Sequence, residues 1–153
     1  MGAATGFFAA MALALLFVAT GCTTARPPTA PAALLGTFED DYGIGYTVTE
    51  ATWTQQPGGA YAVVRWDGRA RTALLRRTGG PLAGTFSRID WLALAPGSDG
   101  TRAADGGARF AWAFCYAAYD VPTREAARQA APADRSRPRT GCGGHPFSRM
   151  RPR

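Results

Sequence analysis

Apolar and polar residues alternate with a period of two along most of the chain after residue 34. The alternating runs are rich in aromatic and β-branched side chains, and they lie at 44–49, 61–66, 85–94 and 108–119. Alternation of this kind is typical of β-strands that bury one face. Turn signals containing glycine or proline separate the runs at 56–59, 67–68, 78–81 and 96–100. The chain is therefore predicted to be mainly β.

The order of strands and turns favours a single antiparallel meander of about six strands. Natural proteins hide the edges of such a meander by curling or closing it. One short C-terminal helix is predicted between Pro122 and Pro132, because an alanine-rich stretch with Glu125 in its first turns lies between these prolines. We expect a small barrel or a curled sheet.

The run 108–119 is the strongest strand prediction, since its large and small residues alternate. The large face holds Phe110, Trp112, Phe114 and Tyr116, and the small face holds Ala111, Ala113, Cys115 and Ala117. We expect the large face to fill the core and the small face to let another backbone or a disulfide partner approach. The tryptophans also allow a ligand cavity, although small barrels usually fill their interior with side chains; the four are Trp53, Trp66, Trp91 and Trp112.

A different pattern occupies the amino terminus. Thirteen consecutive apolar residues from Phe7 to Ala19 precede Thr20-Gly21-Cys22, and a proline-rich segment follows. The run suits the hydrophobic region of a signal peptide and is short for a membrane-spanning helix. The junction resembles the signal peptide and lipobox of bacterial lipoproteins. The alternative is an uncleaved membrane helix over about residues 3–21.

The lipoprotein resemblance implies a domain order and a location. Residues 1–21 would be the signal peptide. Residues 22–33 would contain the lipidated Cys22, with palmitate-type acyl chains, and a Pro-rich tether. Residues 34–153 would form the β-rich domain with a basic C-terminal tail. Because Thr23 is not aspartate, the resemblance implies the outer membrane, facing the periplasm. The strings 36–43, 110–119 and 140–151 are similar to those of small bacterial lipoproteins, and this likeness implies no activity, cofactor or catalytic residue.

The positive charge lies at the end of the chain. Up to Thr123 nine arginines balance nine acids, whereas from Arg124 onward eight arginines face only two acids, so the net charge of +6 belongs to this segment. A cationic tail near a membrane is attracted to anionic lipid. The candidates for anionic-surface binding are Arg135, Arg137, Arg139, Arg149, Arg151 and Arg153. An envelope protein is a second candidate partner, whereas an envelope location argues against nucleic acid. The alternative is that the tail binds nothing and only keeps the domain soluble.

Two cysteines remain if Cys22 is lipidated. An oxidising periplasm favours a disulfide between Cys115 and Cys142, which would attach the basic tail to the core. Two reduced, unrelated cysteines are the alternative.

Two further clusters of residues are candidate sites. Glu39, Asp40 and Asp41 are adjacent acids without calcium-loop spacing, so we predict no metal and favour a charged turn or pairing of one acid with a tail arginine. Cys142 and His145 lie three residues apart and could form a nucleophile and its base. We expect a non-catalytic binding or structural domain without a cofactor; the alternative is an enzyme that uses Cys142 and His145.

Overall fold

The computed structural model describes residues 1–2, 29–95 and 110–153. In these ranges the chain forms one closed antiparallel barrel in which each strand pairs with the next and the last pairs with the first. The strands are β1 (Gly36–Asp40), β2 (Gly45–Val48), β3 (Thr52–Gln56), β4 (Ala60–Asp67), β5 (Thr72–Arg77), β6 (Phe86–Ala93), β7 (Trp112–Val121) and β8 (Ser148–Pro152). A 3-10 helix, Ala32–Leu34, precedes β1, and helix α1, Arg124–Gln129, follows β7. The predicted meander, barrel and short helix are confirmed.

The expected number of strands was too low, because the sequence pattern did not predict β3 and β8. Each of these two strands has only one fully buried apolar side chain, Trp53 in β3 and Met150 in β8. One apolar residue cannot produce a period-two signal. These strands form because their backbones complete the barrel, β3 between β2 and β4, and β8 between β7 and β1.

Aromatic side chains fill the barrel interior. The rings of Trp53 and Phe114 lie 5.1 Å apart edge to face, and those of Phe38 and Trp112 lie 5.2 Å apart in the same way. Such edge-to-face pairs add to the apolar area that each ring buries. Leu34, from the 3-10 helix, joins the same core. The inward face predicted for β7 is confirmed for Trp112 and Phe114, both 1% exposed.

Helix α1 packs on the outside of the barrel. The hydroxyl of Thr123 accepts a hydrogen bond from the backbone N–H of Ala126 at 3.1 Å, which caps the first turn. Ala127 is fully buried in a small cluster with Leu74 of β5 and Ala118 of β7. The helix therefore covers outward-facing apolar residues of the sheet.

No helix in 29–95 and 110–153 is both long and apolar enough to cross a bilayer. Cys22 and most of the predicted signal peptide fall within residues 3–28, outside the described residues. The lipidation of Cys22 stays a prediction.

Candidate functional site

The tryptophans belong to the core rather than to an open cavity. Trp53, Trp66 and Trp112 are at most 2% exposed, and Trp91 is partly buried against the same cluster. Their neighbours are other side chains of the barrel interior, among them Tyr46 and Phe114. The tryptophans therefore pack in the core and do not line an open ligand cavity.

The tail that follows α1 is attached to the outer wall of the barrel by a disulfide. Cys115, on the small face of β7, is bonded to Cys142 with their Cα atoms 5.6 Å apart. Leu92, Ala113 and Phe147 form an apolar cluster beside this bond. The predicted disulfide is confirmed, and the small face of β7 admits the tail as expected.

A buried carboxylate, Asp90 of β6, fixes the same segment by hydrogen bonds. Asp90 is fully buried and accepts hydrogen bonds from Nε of Arg88 and from the backbone N–H of Ala133, both at 2.9 Å. Arg88 also donates to the carbonyl oxygens of Arg128, Ala130 and Ala131 at the end of α1. These hydrogen bonds of Asp90 and Arg88 hold the end of the helix and the start of the tail against β6.

Between the tail and the barrel wall lies an outer cleft of about 610 Å³. Its apolar lining consists of side chains from the residue after β6, from β7 and from the tail, namely Leu94, Ala113, Pro138, Pro146 and Phe147. Its polar lining consists of Arg137, Arg139, Arg149, Thr140 and Asp41. Three cationic side chains thus face one carboxylate around an apolar wall, and we call this feature the tail cleft.

The three arginines of the tail cleft differ in how firmly they are held. Arg149 donates from its backbone N–H and from Nε to Asp41 at 3.1 and 2.9 Å, and its guanidinium lies 4.6 Å from the Phe110 ring centre. Arg137 donates to Asp134 at 2.7 Å in an exposed pair. Arg139 is exposed, and its side chain has no hydrogen bond or ion pair with another residue of the described part of the chain. Arg149 is therefore oriented by the fold, whereas Arg139 is available to a ligand.

Asp134 carries its charge over nearly the whole pH range. Hydrogen bonds from Ser136, followed by the bond from Arg137, lower the pKa of Asp134 to about 2. The Asp134–Arg137 pair nevertheless lies in water, where an ion pair contributes little. An anion that enters the tail cleft can therefore attract Arg137 at small cost.

The other predicted arginines serve the fold. Arg135 donates from Nε to the carbonyl oxygen of Trp91 at 3.0 Å, and from Nη2 to two carbonyls of the β4–β5 turn. Arg151 and Arg153 both donate to Glu39. Only part of the predicted set, Arg137, Arg139 and Arg149, comes together at one place.

The acidic cluster at 39–41 is structural, and the described residues contain no group of three or more His, Cys, Asp or Glu side chains placed to hold a metal ion. Asp40 accepts hydrogen bonds from the backbone N–H groups of Tyr42 and Ile44 and from the Tyr46 hydroxyl. Glu39 and Asp41 pair with arginines of β8 and its end. The predicted pairing of an acid with a tail arginine is confirmed.

The pair Cys142 and His145 is joined by a backbone bridge, in which each N–H donates to the other's carbonyl oxygen at 3.0 and 2.9 Å. The sulfur of Cys142 is bonded to Cys115, so it holds no thiol that could act as a nucleophile. The His145 side chain is exposed. This turn therefore shows no nucleophile and base pair.

Sequence reasoning missed the apolar half of the tail cleft. Phe147 was not among the predicted site residues, although it is 1% exposed and packs beside the disulfide. The signal was present in two separate predictions, the small outer face of β7 and the Cys115–Cys142 bond. Taken together they place residues near Cys142 against Ala113.

A comparison of the chain with models of known protein families, with curated proteins and with solved structures finds no match.

Proposed function

We propose that this chain is a lipid-anchored lipoprotein of the bacterial cell envelope, with a non-catalytic β-barrel that binds an anionic component of the envelope. The acylated residue is Cys22, and the residues between it and Ala30, whose side chain is buried in the barrel core, tether the barrel to the outer membrane on its periplasmic side. The sequence at 18–22, which resembles a lipobox, supports the anchor. The partners are the membrane itself and an anionic lipid or an envelope protein that carries acidic groups.

The observation that carries the binding function is the tail cleft. Arg137, Arg139 and Arg149 converge there on the outer wall, while the barrel interior is occupied by its own aromatic side chains. A site on the outer wall is open to a large partner such as a membrane surface. The local charge, three arginines against Asp41 and the Asp134 that pairs with Arg137, is positive and favours an anionic partner.

The anchor is tested by changing Cys22→Ala in the full chain expressed in bacteria. Acyl chains hold a protein on a bilayer because each buried methylene contributes about 0.8 kcal/mol. The variant should lack the mass of the lipid and should move from the membrane fraction to the soluble fraction. Thr24→Ala, two residues away, is the control and should stay in the membrane. A Cys22→Ala protein with unchanged mass and location would contradict the anchor.

The binding function is tested by co-flotation of the full chain, held in neutral nanodiscs, with vesicles that contain phosphatidylglycerol. Changing both Arg137→Gln and Arg139→Gln should reduce binding severalfold. The control, Arg69→Gln with Arg128→Gln, removes the same charge from exposed positions elsewhere and should reduce binding less. Binding should also weaken between 0.1 and 0.5 M salt, since added salt screens exposed charges. Equal losses from the two double variants would remove the tail cleft from the proposal.

A further inference from the structure

We infer that the tail cleft binds one anionic amphiphile, an acyl chain that ends in a phosphate group. This inference rests on the proposed function and deepens it, because it names the chemistry of the ligand. It also assigns a part to each half of the lining, the apolar wall and the arginine rim.

The apolar wall suits a hydrocarbon chain. Phe147 and Ala113, at 1% and 0% exposure, lie beneath the wall and support it. Leu94, Pro138 and Pro146 extend the apolar surface around them. A volume of about 610 Å³ lies within the range of about 300–1,000 Å³ that is typical of small-molecule sites. A free inorganic anion would make no use of this surface.

The rim suits a phosphate. Guanidinium groups present N–H donors in a planar fork that matches phosphate oxygens, and Arg139 has this fork uncommitted in the described residues. Arg149 is already oriented by Asp41 and by the Phe110 ring, so little side-chain freedom is lost when it contributes charge. The hydroxyl of Thr140, also in the lining, is a further donor.

The position of the apolar wall distinguishes this ligand from a polymer. Nucleic acid and acidic proteins meet extended cationic surfaces, but here most other arginines of the tail are occupied. Arg151 and Arg153 are bound to Glu39, and Arg135 is bound to backbone carbonyls. Arg139, the one tail arginine without a partner among the described residues, lies at the edge of a single apolar cleft, which fits one chain with one charged head.

The test is calorimetric titration of the full chain in phosphatidylcholine nanodiscs with octyl phosphate, after subtraction of the heat of empty nanodiscs. We expect one site per chain, and binding about tenfold weaker after Arg139→Gln, which corresponds to about 1.4 kcal/mol. The matched control Arg69→Gln, in the β4–β5 turn, should change the affinity less than twofold. Octyltrimethylammonium, which reverses the charge of the head, should not bind.

Two further arms separate the head from the chain. Inorganic phosphate should bind at least tenfold more weakly than octyl phosphate, and Leu94→Ser should weaken octyl phosphate without changing the affinity for inorganic phosphate. The inference is overturned if octyl phosphate gives no heat, if inorganic phosphate binds as well, or if Arg69→Gln weakens binding as much as Arg139→Gln. If the protein still shows Cys22-dependent anchoring and vesicle binding in those cases, only this inference fails and the proposed function stands.

Discussion

At the scale of single residues, Asp90 shows how one buried carboxylate holds β6 and the tail together. It is fully buried, bonds Nε of Arg88 and the backbone N–H of Ala133, and lies 3.7 Å from the guanidinium of Arg135. Without the charge, the Arg88 Nε–H and the Ala133 N–H would lose a charged acceptor, and the guanidinium groups of Arg88 and Arg135 would lose the carboxylate that neutralises them. Breaking a buried pair from one side costs much more than the pair contributes, because the remaining charge stays out of water.

We predict that Asp90→Asn lowers the free energy of unfolding by about 3 kcal/mol. The neutral amide keeps the shape of the side chain and one acceptor oxygen, but it presents an N–H₂ group where the other native oxygen accepts a hydrogen bond. Urea denaturation followed by tryptophan fluorescence measures the change.

Asp67→Asn is the matched control for this variant. Asp67 lies 3.6 Å from Arg65 in a partly exposed pair, and its loss should cost less than about 1 kcal/mol. If Asp90→Asn were no worse than this control, Asp90 would not be the point that fixes the tail.

At the scale of elements, β7 and the tail depend on each other. The outward face of β7 carries Ala113 and Cys115, which are too small to cover themselves, and the tail supplies Phe147 and Cys142 to cover them. Gly141, next to Cys142, packs against the tail's own backbone, where a Cβ would overlap the carbonyl oxygens of Asp134 and Arg137. The disulfide closes a sequence separation of 27 residues between these two elements.

We predict that replacing both Cys115 and Cys142 by serine lowers the free energy of unfolding by about 3–4 kcal/mol, the loop-closure entropy for a loop of this length. The wild type treated with dithiothreitol should match the double variant in urea denaturation. The far-UV circular dichroism should keep its β character, because the barrel core lies on the other face of β7.

The same proteins test whether the bond exists. Thiol blocking under non-reducing conditions should label neither Cys115 nor Cys142 in the wild type. Labelling of both would contradict the disulfide and would return Cys142 to the list of possible nucleophiles beside His145.

At the scale of the whole molecule, ion pairs between distant parts of the chain support the closure of the barrel. β8 pairs with β1 over only three residue positions, and Glu39 lies on β1 opposite Arg151. Hydrogen bonds from Arg151 and then Arg153 lower the pKa of Glu39. Because the pKa of Glu39 is lower in the folded protein than in the unfolded chain, the free energy of unfolding depends on pH.

We predict that the stability advantage of the wild type over Glu39→Gln depends on pH. It should be complete at pH 7, decline once the pH falls below the ordinary glutamate pKa of 4.5, and vanish when the folded protein protonates Glu39. Thermal unfolding of both proteins across this range measures the difference. The advantage should shrink in 0.5 M salt at pH 7, since the pairs are partly exposed. A difference that is independent of pH would show that Glu39 acts through packing alone.

Local sequence pattern was enough to predict the fold class and much of the core. Alternation of large and small residues along β7 identified Trp112 and Phe114 as inward-facing, and flanking prolines bounded α1. These features depend on neighbours a few residues apart, which is the distance over which strand and helix periods act. The disulfide was also predictable, because few cysteines were available to pair.

The sequence by itself determined a β meander with an aromatic inner face, a short helix, a cysteine pair and a cationic end. Only the tertiary structure decided that the barrel closes through β8 and that both Glu39 and Asp41 bind arginines more than 100 residues away. It also decided that Arg139, which lines the tail cleft with Phe147, has no partner among the described residues. The physical reason is that the sequence gives the number of charged residues in a segment, whereas the fold decides which of them pair with each other. Only a charged side chain that the fold leaves unpaired can bind a ligand without breaking an ion pair. The tail cleft exists only where such distant segments meet.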